Sequence, residues 1–158
     1  MATASGFDGH VPDSSSFLLE VDGTEIGMFA EVSGLEVTVE LATYAEGGEN
    51  GYVHKFPGRM NWPNIVLRRG ICKSDALFAW VNKTSGVGFS KNQNKLERST
   101  AAITLIGSGG ERLRAWEVSG AFAVRWVGPH LAVKAAGEPA MEEIELAHEG
   151  FTSKTFKP

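Results

Sequence analysis

Leu35-Glu36-Val37-Thr38-Val39-Glu40-Leu41-Ala42-Thr43 alternates apolar and polar side chains almost without a break. Successive side chains of a strand point to opposite faces, so Leu35, Val37, Val39 and Leu41 share one face while Glu36, Thr38 and Glu40 share the other. A helix would scatter both sets around its circumference. The stretch predicts a β-strand whose apolar face packs on the core of a half-buried sheet. The segment after it behaves differently. Tyr44 to Gly58 contains Gly47, Gly48, Gly51, Pro57 and Gly58, and reads as a long loop or an extended hairpin. A connection of that length in a compact domain usually has a job.

Working outward, Phe17 to Val21 reads as a strand closed by Asp22-Gly23, a strong hairpin signal. A second strand covers Glu25 to Val32 and ends at Ser33-Gly34. On the other side, Ile65 to Arg69 is a short strand stopped by Gly70. The one helix signal follows: Ser74 can cap, Asp75 suits the first turn, and Leu77, Trp80 and Val81 share a face. Thr84-Ser85-Gly86 ends it, and the polar, Gly-rich stretch Ser85 to Asn94 reads as loop. Leu96 to Ile106 is a strand, followed by a Gly107-Ser108-Gly109-Gly110 turn. Arg112 to Val118 and Ala121 to Val127 read as a hairpin around Ser119-Gly120. In the last strand, Met141 to His148, Ile144 and Leu146 oppose Met141, Glu143, Glu145 and Ala147. The chain has 19 glycines where average usage gives about eleven, as many tight turns require. The predicted fold class is mostly β: an antiparallel barrel or sandwich of about eight strands, with one short α-helix and a long extended loop. The 158 residues make one domain over 17–158, able to bury roughly 70% of its unfolded surface. Residues 1–16, polar and small, form an N-terminal arm, either flexible or ordered by a partner.

The chemistry that is absent narrows the function. The net charge is −4, and no basic run exceeds Arg68-Arg69, which argues against a nucleic-acid binder. The single cysteine, Cys72, permits no internal disulfide and reads as a small buried hydrophobe. His10, His54, His130 and His148 lack metal-ligand spacing with each other or with Cys72. There is no nucleophile elbow and no Walker loop, and Gly86-Val87-Gly88 follows a helix where a dinucleotide loop would follow a strand. The pairs Glu142/Glu143 and Glu145/Glu149 read as the solvated edge of a strand. Trp62, Trp80, Trp116 and Trp126 read as core or interface packing. The expectation is no enzyme, no metal and no cofactor. With no basic-plus-apolar leader and no apolar run of about 20 residues, assembly in the cytoplasm without a signal peptide or membrane insertion is expected. A strand-rich domain must deal with its sheet edges, and polymerising edge to edge is one solution. On the residues alone, a ligand-binding barrel and an assembly subunit stand equally open.

Several stretches, taken in order, break that tie. Phe17-Leu18-Leu19-Glu20-Val21-Asp22-Gly23 followed by Phe29-Ala30-Glu31-Val32-Ser33-Gly34-Leu35 resembles the opening of contractile-tail tube proteins. Tyr44-Ala45-Glu46-Gly47-Gly48-Glu49-Asn50 is similar to their Glu-Gly-Gly loop. Phe56-Pro57-Gly58 and Pro63-Asn64-Ile65-Val66-Leu67-Arg68-Arg69-Gly70 look like the strand after it, and Phe78-Ala79-Trp80 like the helix with its tryptophan. Trp116-Glu117-Val118, Ala121-Phe122 and the run Glu142 to Phe151 resemble the closing hairpin and last strand. The resemblance runs from Phe17 to Phe151. It is to the tail-tube family of contractile phages, which includes the inner tubes of extracellular contractile injection systems. That family is similar in fold to the haemolysin-coregulated tube protein of type VI secretion. The family's closing Asn-Ala-aromatic-Pro stretch reads Ser119-Gly120-Ala121-Phe122-Ala123 here, without the proline.

The resemblance implies a structural subunit of hexameric rings, stacked into a hollow tube within a contractile sheath. The implied partners are the chain itself, the sheath, baseplate and tube-capping proteins, and protein or DNA cargo in the lumen. A tube-initiating or adaptor ring of the same machine is the alternative. Tyr44, Glu46, Gly47, Gly48, Glu49, Asn50, Tyr52 and Phe56 are the expected inter-subunit loop. Glu36, Thr38, Glu40, Glu143 and Glu145 are candidates for the channel wall, where repeated carboxylates would discourage cargo from sticking. The glutamates could instead face the sheath or pair with Arg112 and Arg114.

Overall fold

The structure, a computed structural model, describes residues 16–133, 137 and 139–156. The expected arm over 1–16 therefore lies outside the described residues, except that Ser16 opens the first strand. Strands β1 (Ser16–Val21) and β2 (Thr24–Phe29) form the predicted hairpin. Asp22 and Gly23 both have positive φ, +49° and +77°, the geometry that matches the twist of a two-residue turn. The predicted second strand divides into β2 and β3 (Glu31–Ser33) at Ala30. β2 pairs with β1, and β3 pairs with β6 (Ile65–Gly70). Gly34 ends this segment with φ +83°, and a Cβ there would run into the carbonyl oxygen of Asn64.

The remaining strands of the main sheet are β7 (Ser99–Ile106), β8 (Arg112–Val127), β9 (Met141–Ala147) and β10 (Phe151–Thr155). The antiparallel order is β2-β1-β7-β8-β9-β6-β3, with β10 also on β8. The two ends of that path, β2 and β3, are consecutive in the chain, and the Ala30 N–H donates to the Arg68 carbonyl at 2.9 Å. The sheet is thus folded over on itself as a sandwich-like layer pair. The hairpin predicted around Ser119-Gly120 is instead one 16-residue strand, β8. Its first part pairs with β7 and β10 and its second part with β9. Ser119-Gly120 is a bulge, with Gly120 at φ +61° and a register shift against β7. Ser119 exchanges backbone hydrogen bonds of 2.9 Å with Gly150 and Glu149, across the break between β9 and β10. Both strands bend together there, passing from one layer to the other without a chain reversal.

Between the layers lie Leu19, Phe29, Ile65, Leu67, Ile103, Val118, Ile144 and Leu146, all buried. The predicted inward pair of the last strand, Ile144 and Leu146, is among them. Helix α1 (Ala76–Thr84) covers one side with Leu77, Trp80 and Thr84, and Ser74 Oγ accepts from the Ala76 N–H at 3.3 Å. A second helix, α2 (Gly86–Lys91), stands where a loop was predicted. A Cβ on Gly88 would strike the Asn82 carbonyl, so the missing side chain lets α2 fold back on the end of α1.

Two polar assignments change with the fold. Glu142 is buried, not on a solvated edge: it shares the inward face of β9 with Ile144 and Leu146. It accepts from Arg69 Nε across the β6–β9 ladder and from Trp126 Nε1 at 3.2 Å. Arg69, equally buried, stacks over the Phe29 ring at 5.1 Å. Cys72 is exposed, because it lies in the connection to α1 and not in a strand.

Candidate functional site

Strands β4 (Thr38–Tyr44) and β5 (His54–Asn61) pair with each other in a separate two-stranded sheet. Of the two readings of Tyr44 to Gly58, an extended hairpin is the one observed. Among the described residues neither strand joins the main ladder, so the ribbon projects from the body. Every residue of β4 is exposed, as is every residue of β5 after His54. The alternation that opened the sequence reading is present, but Val39 and Leu41 do not enter the core; they are 43% and 63% exposed. Only Leu35, ahead of the strand, packs against the body.

Residues opposite one another in an antiparallel pair share a face. Val39 lies across from Met60, and Leu41 from Pro57, which makes one face aliphatic. Ala42 lies across from Phe56 and Tyr44 from His54, which makes the other face aromatic toward the tip. Thr38 and Glu40 alternate onto this second face, nearer the base. A bulge between Val39 and Leu41 reconciles the two strand lengths. Gly58 permits it, since a Cβ there would sit 2.9 Å from the Glu40 carbonyl oxygen.

At the tip, His54 gathers the aromatics. Its ring centroid is 5.1 Å from that of Tyr52, 6.3 Å from Phe56 and 6.5 Å from Tyr44. Glu46 Oε2 lies 3.2 Å from His54 Nε2. The turn closes with the Glu49 N–H donating to the Glu46 carbonyl at 3.3 Å, and Glu49 Oε1 accepts from the Gly51 N–H at 2.8 Å. Gly47, Gly48 and Asn50 complete an exposed tip. The structure therefore brings Tyr44, Glu46, Tyr52 and Phe56 together around His54, a residue the sequence reading did not single out. It also shows what that reading missed entirely, the aliphatic face of Val39, Leu41, Pro57 and Met60.

The other singled-out glutamates lie apart. Glu36 is exposed just before β4. Glu143 and Glu145 occupy the outward face of β9, half-buried. Glu143 bridges Arg68 at 3.3 Å and Arg125 at 3.7 Å, and Glu145 accepts from Asn64 Nδ2 at 2.8 Å. Arg112 reaches Glu20 at 3.2 Å, and Arg114 donates to Ser153 Oγ at 2.7 Å, so neither serves the β9 glutamates. Among the described residues no group of three or more His, Cys, Asp or Glu side chains could hold a metal ion, and no helix is long and apolar enough to cross a membrane.

A folded-over antiparallel sheet that leaves a two-faced apolar ribbon uncovered is the protomer of an assembly. Comparison with known proteins says which. The T4-like virus tail tube protein gp19 family matches residues 13–152, and the chain belongs to that family. The fold is that of solved tube proteins. In the sheath–tube complex of an extracellular contractile injection system, PVC, one chain is 26% identical with a TM-score of 0.77, over 99% of both chains. A chain of the anti-feeding prophage tube-terminating cap is 26% identical with a TM-score of 0.74, over 98% of both. Hcp1 from Salmonella typhimurium shares the fold alone, at 10% identity and a TM-score of 0.53, over 90% of this chain and 87% of that one. No curated protein matches the sequence. The protein is a structural tube subunit of the contractile-tail class.

Proposed function

We propose that the chain closes into hexameric rings that stack into a hollow tube, running inside a contractile sheath and meeting a baseplate and a cap at its ends. The observation that carries this is the projecting β4–β5 ribbon, whose apolar side chains have no cover within the protomer. Likeness to chains from a PVC sheath–tube complex and an anti-feeding prophage cap supports the sheath and cap as partners. Tyr44, Glu46, Gly47, Gly48, Glu49, Asn50, Tyr52 and Phe56 form the inter-subunit contact, with the glycines giving the tip its tight course and the aromatics anchoring it. The lumen carries protein or DNA. The chemistry is self-association and not catalysis, and assembly takes place in the cytoplasm. Residues 1–16 act as an arm outside the core of the domain.

Negative-stain microscopy and sedimentation of the purified protein test the reading. The expected result is rings with sixfold end views and stacks of indefinite length. Single closed rings that never stack would favour a terminating or adaptor ring. A strictly monomeric particle across a wide concentration range would overturn the assembly itself.

A further inference from the structure

We infer that the β4–β5 ribbon seats between two other copies of the chain at once, its aliphatic face on one and its aromatic face on the other. The inference rests on the tube reading above and deepens it. Antiparallel sheets commonly keep one face on a core and give the other to water, with polar side chains on the wet face. This ribbon has no such face. Leu41 and Met60, 63% and 51% exposed, lie on one side, and Tyr44 and Phe56, 61% and 52% exposed, lie on the other. A ribbon laid flat on one neighbour would bury one set and leave the other in solvent.

Area points the same way. Eight residues at about 3.3 Å each, on two strands about 4.8 Å apart, offer roughly 250 Å² per face. A stable interface takes about 800 Å² per partner, so one face is a small part of what is needed, and both faces are required for the ribbon to contribute substantially. Symmetry supplies the identity of the occupants. A patch on a projecting ribbon that meets a different patch on the body makes a head-to-tail contact, which propagates and does not stop at a dimer. A stack of rings needs two such contacts that are not equivalent, one around the ring and one along the axis. The ribbon's two faces are non-equivalent, and each has an apolar surface to offer. Exposed Met28, Ile71, Phe78 and Val124 on the body are apolar surface for them to meet. Carrying both contacts on one element ties ring closure to stacking.

The test separates the faces. Leu41→Ser with Met60→Ser strips the aliphatic face; Tyr44→Ser with Phe56→Ser strips the aromatic one. Neither pair lies in the core, so each variant subunit should melt as the unaltered one does. Both should lose tubes, but at different stages, one leaving closed rings that do not stack and the other leaving subunits that do not close. Arrest of both at the same stage, or tubes persisting in either, overturns the inference. Should a variant melt early, a photo-crosslinking residue placed at position 41 or at position 44 of otherwise unaltered tubes gives the same answer. Adducts on two different surfaces of neighbouring copies are expected, and one common surface is the contrary result. Absence of rings and tubes from the unaltered protein would instead fail the tube reading.

Discussion

Glu142 and Arg69 show what a single residue can conceal in a sequence. Next to Glu143, Glu142 reads as one more surface charge, yet its parity is that of Ile144 and Leu146, and Arg69 has the parity of Ile65 and Leu67. Each strand therefore delivers one charge to the inward face, and the β6–β9 register sets them side by side. The inward parity was readable; that an opposite charge waited across the ladder was not. Removing one member of a buried pair leaves the other uncompensated, at about 3–5 kcal/mol, whereas apolar replacement of both is often near neutral. Glu142→Ala should lower subunit stability by that amount in urea unfolding. Arg69→Met with Glu142→Leu should recover most of it, and a double variant as unstable as the single one would refute the pairing account. Gly34 gives a second prediction at this scale. Its φ of +83° and the Asn64 carbonyl both forbid a side chain, so Gly34→Ala should cost about 1–3 kcal/mol in backbone strain before any clash is added. An unchanged melting temperature would contradict that geometry.

Among the elements, the ones that local chemistry dictates matched expectation. The Asp22-Gly23 turn, the Leu77/Trp80 face of α1 and the Ile144/Leu146 face of β9 each follow from a turn conformation or a periodicity. Elements that depend on what lies beside them did not. A Ser-Gly pair usually signals a reversal, but Ser119-Gly120 becomes a bulge because β7 on one side and the β9–β10 strand on the other keep pairing past it. Gly86-Val87-Gly88 looks like loop, but becomes helix because α1 offers a surface for Gly88 to approach. The ribbon makes the third prediction. Replacing Glu46 to Tyr52 by a two-residue turn should leave subunit melting unchanged, since no core residue is lost, and should abolish tubes. Tubes of ordinary length from that variant would show the tip to be a free surface loop.

At the scale of the whole molecule, a transport channel needs a wall to which cargo does not adhere, and charge is one way to build it. Of the candidate channel residues, Glu36 and Glu40 are exposed, and among the described residues no basic side chain lies within ion-pair distance of either. Glu143 is already matched by Arg68 and Arg125. An acidic ring around the channel is therefore expected to draw on Glu36 and Glu40 more than on β9. A map of the assembled tube should place those two carboxylates on the inner wall, and Glu36→Gln with Glu40→Gln should assemble while retaining more basic cargo at high salt than at low salt loses its difference from the unaltered tube. Both glutamate pairs on the outer wall or within interfaces would end the idea.

The sequence by itself determined the class of fold, the turns, the inward faces of β1, β6 and β9, and the family. All of these follow from periodicity, turn chemistry and the order of short motifs, which are local properties of the chain. Tertiary structure alone decided where the Leu35–Leu41 alternation leads. An apolar face has the same spacing whether its own domain covers it or a neighbour does. Only the absence of a ladder between β4–β5 and the main sheet shows that this face was left for another copy.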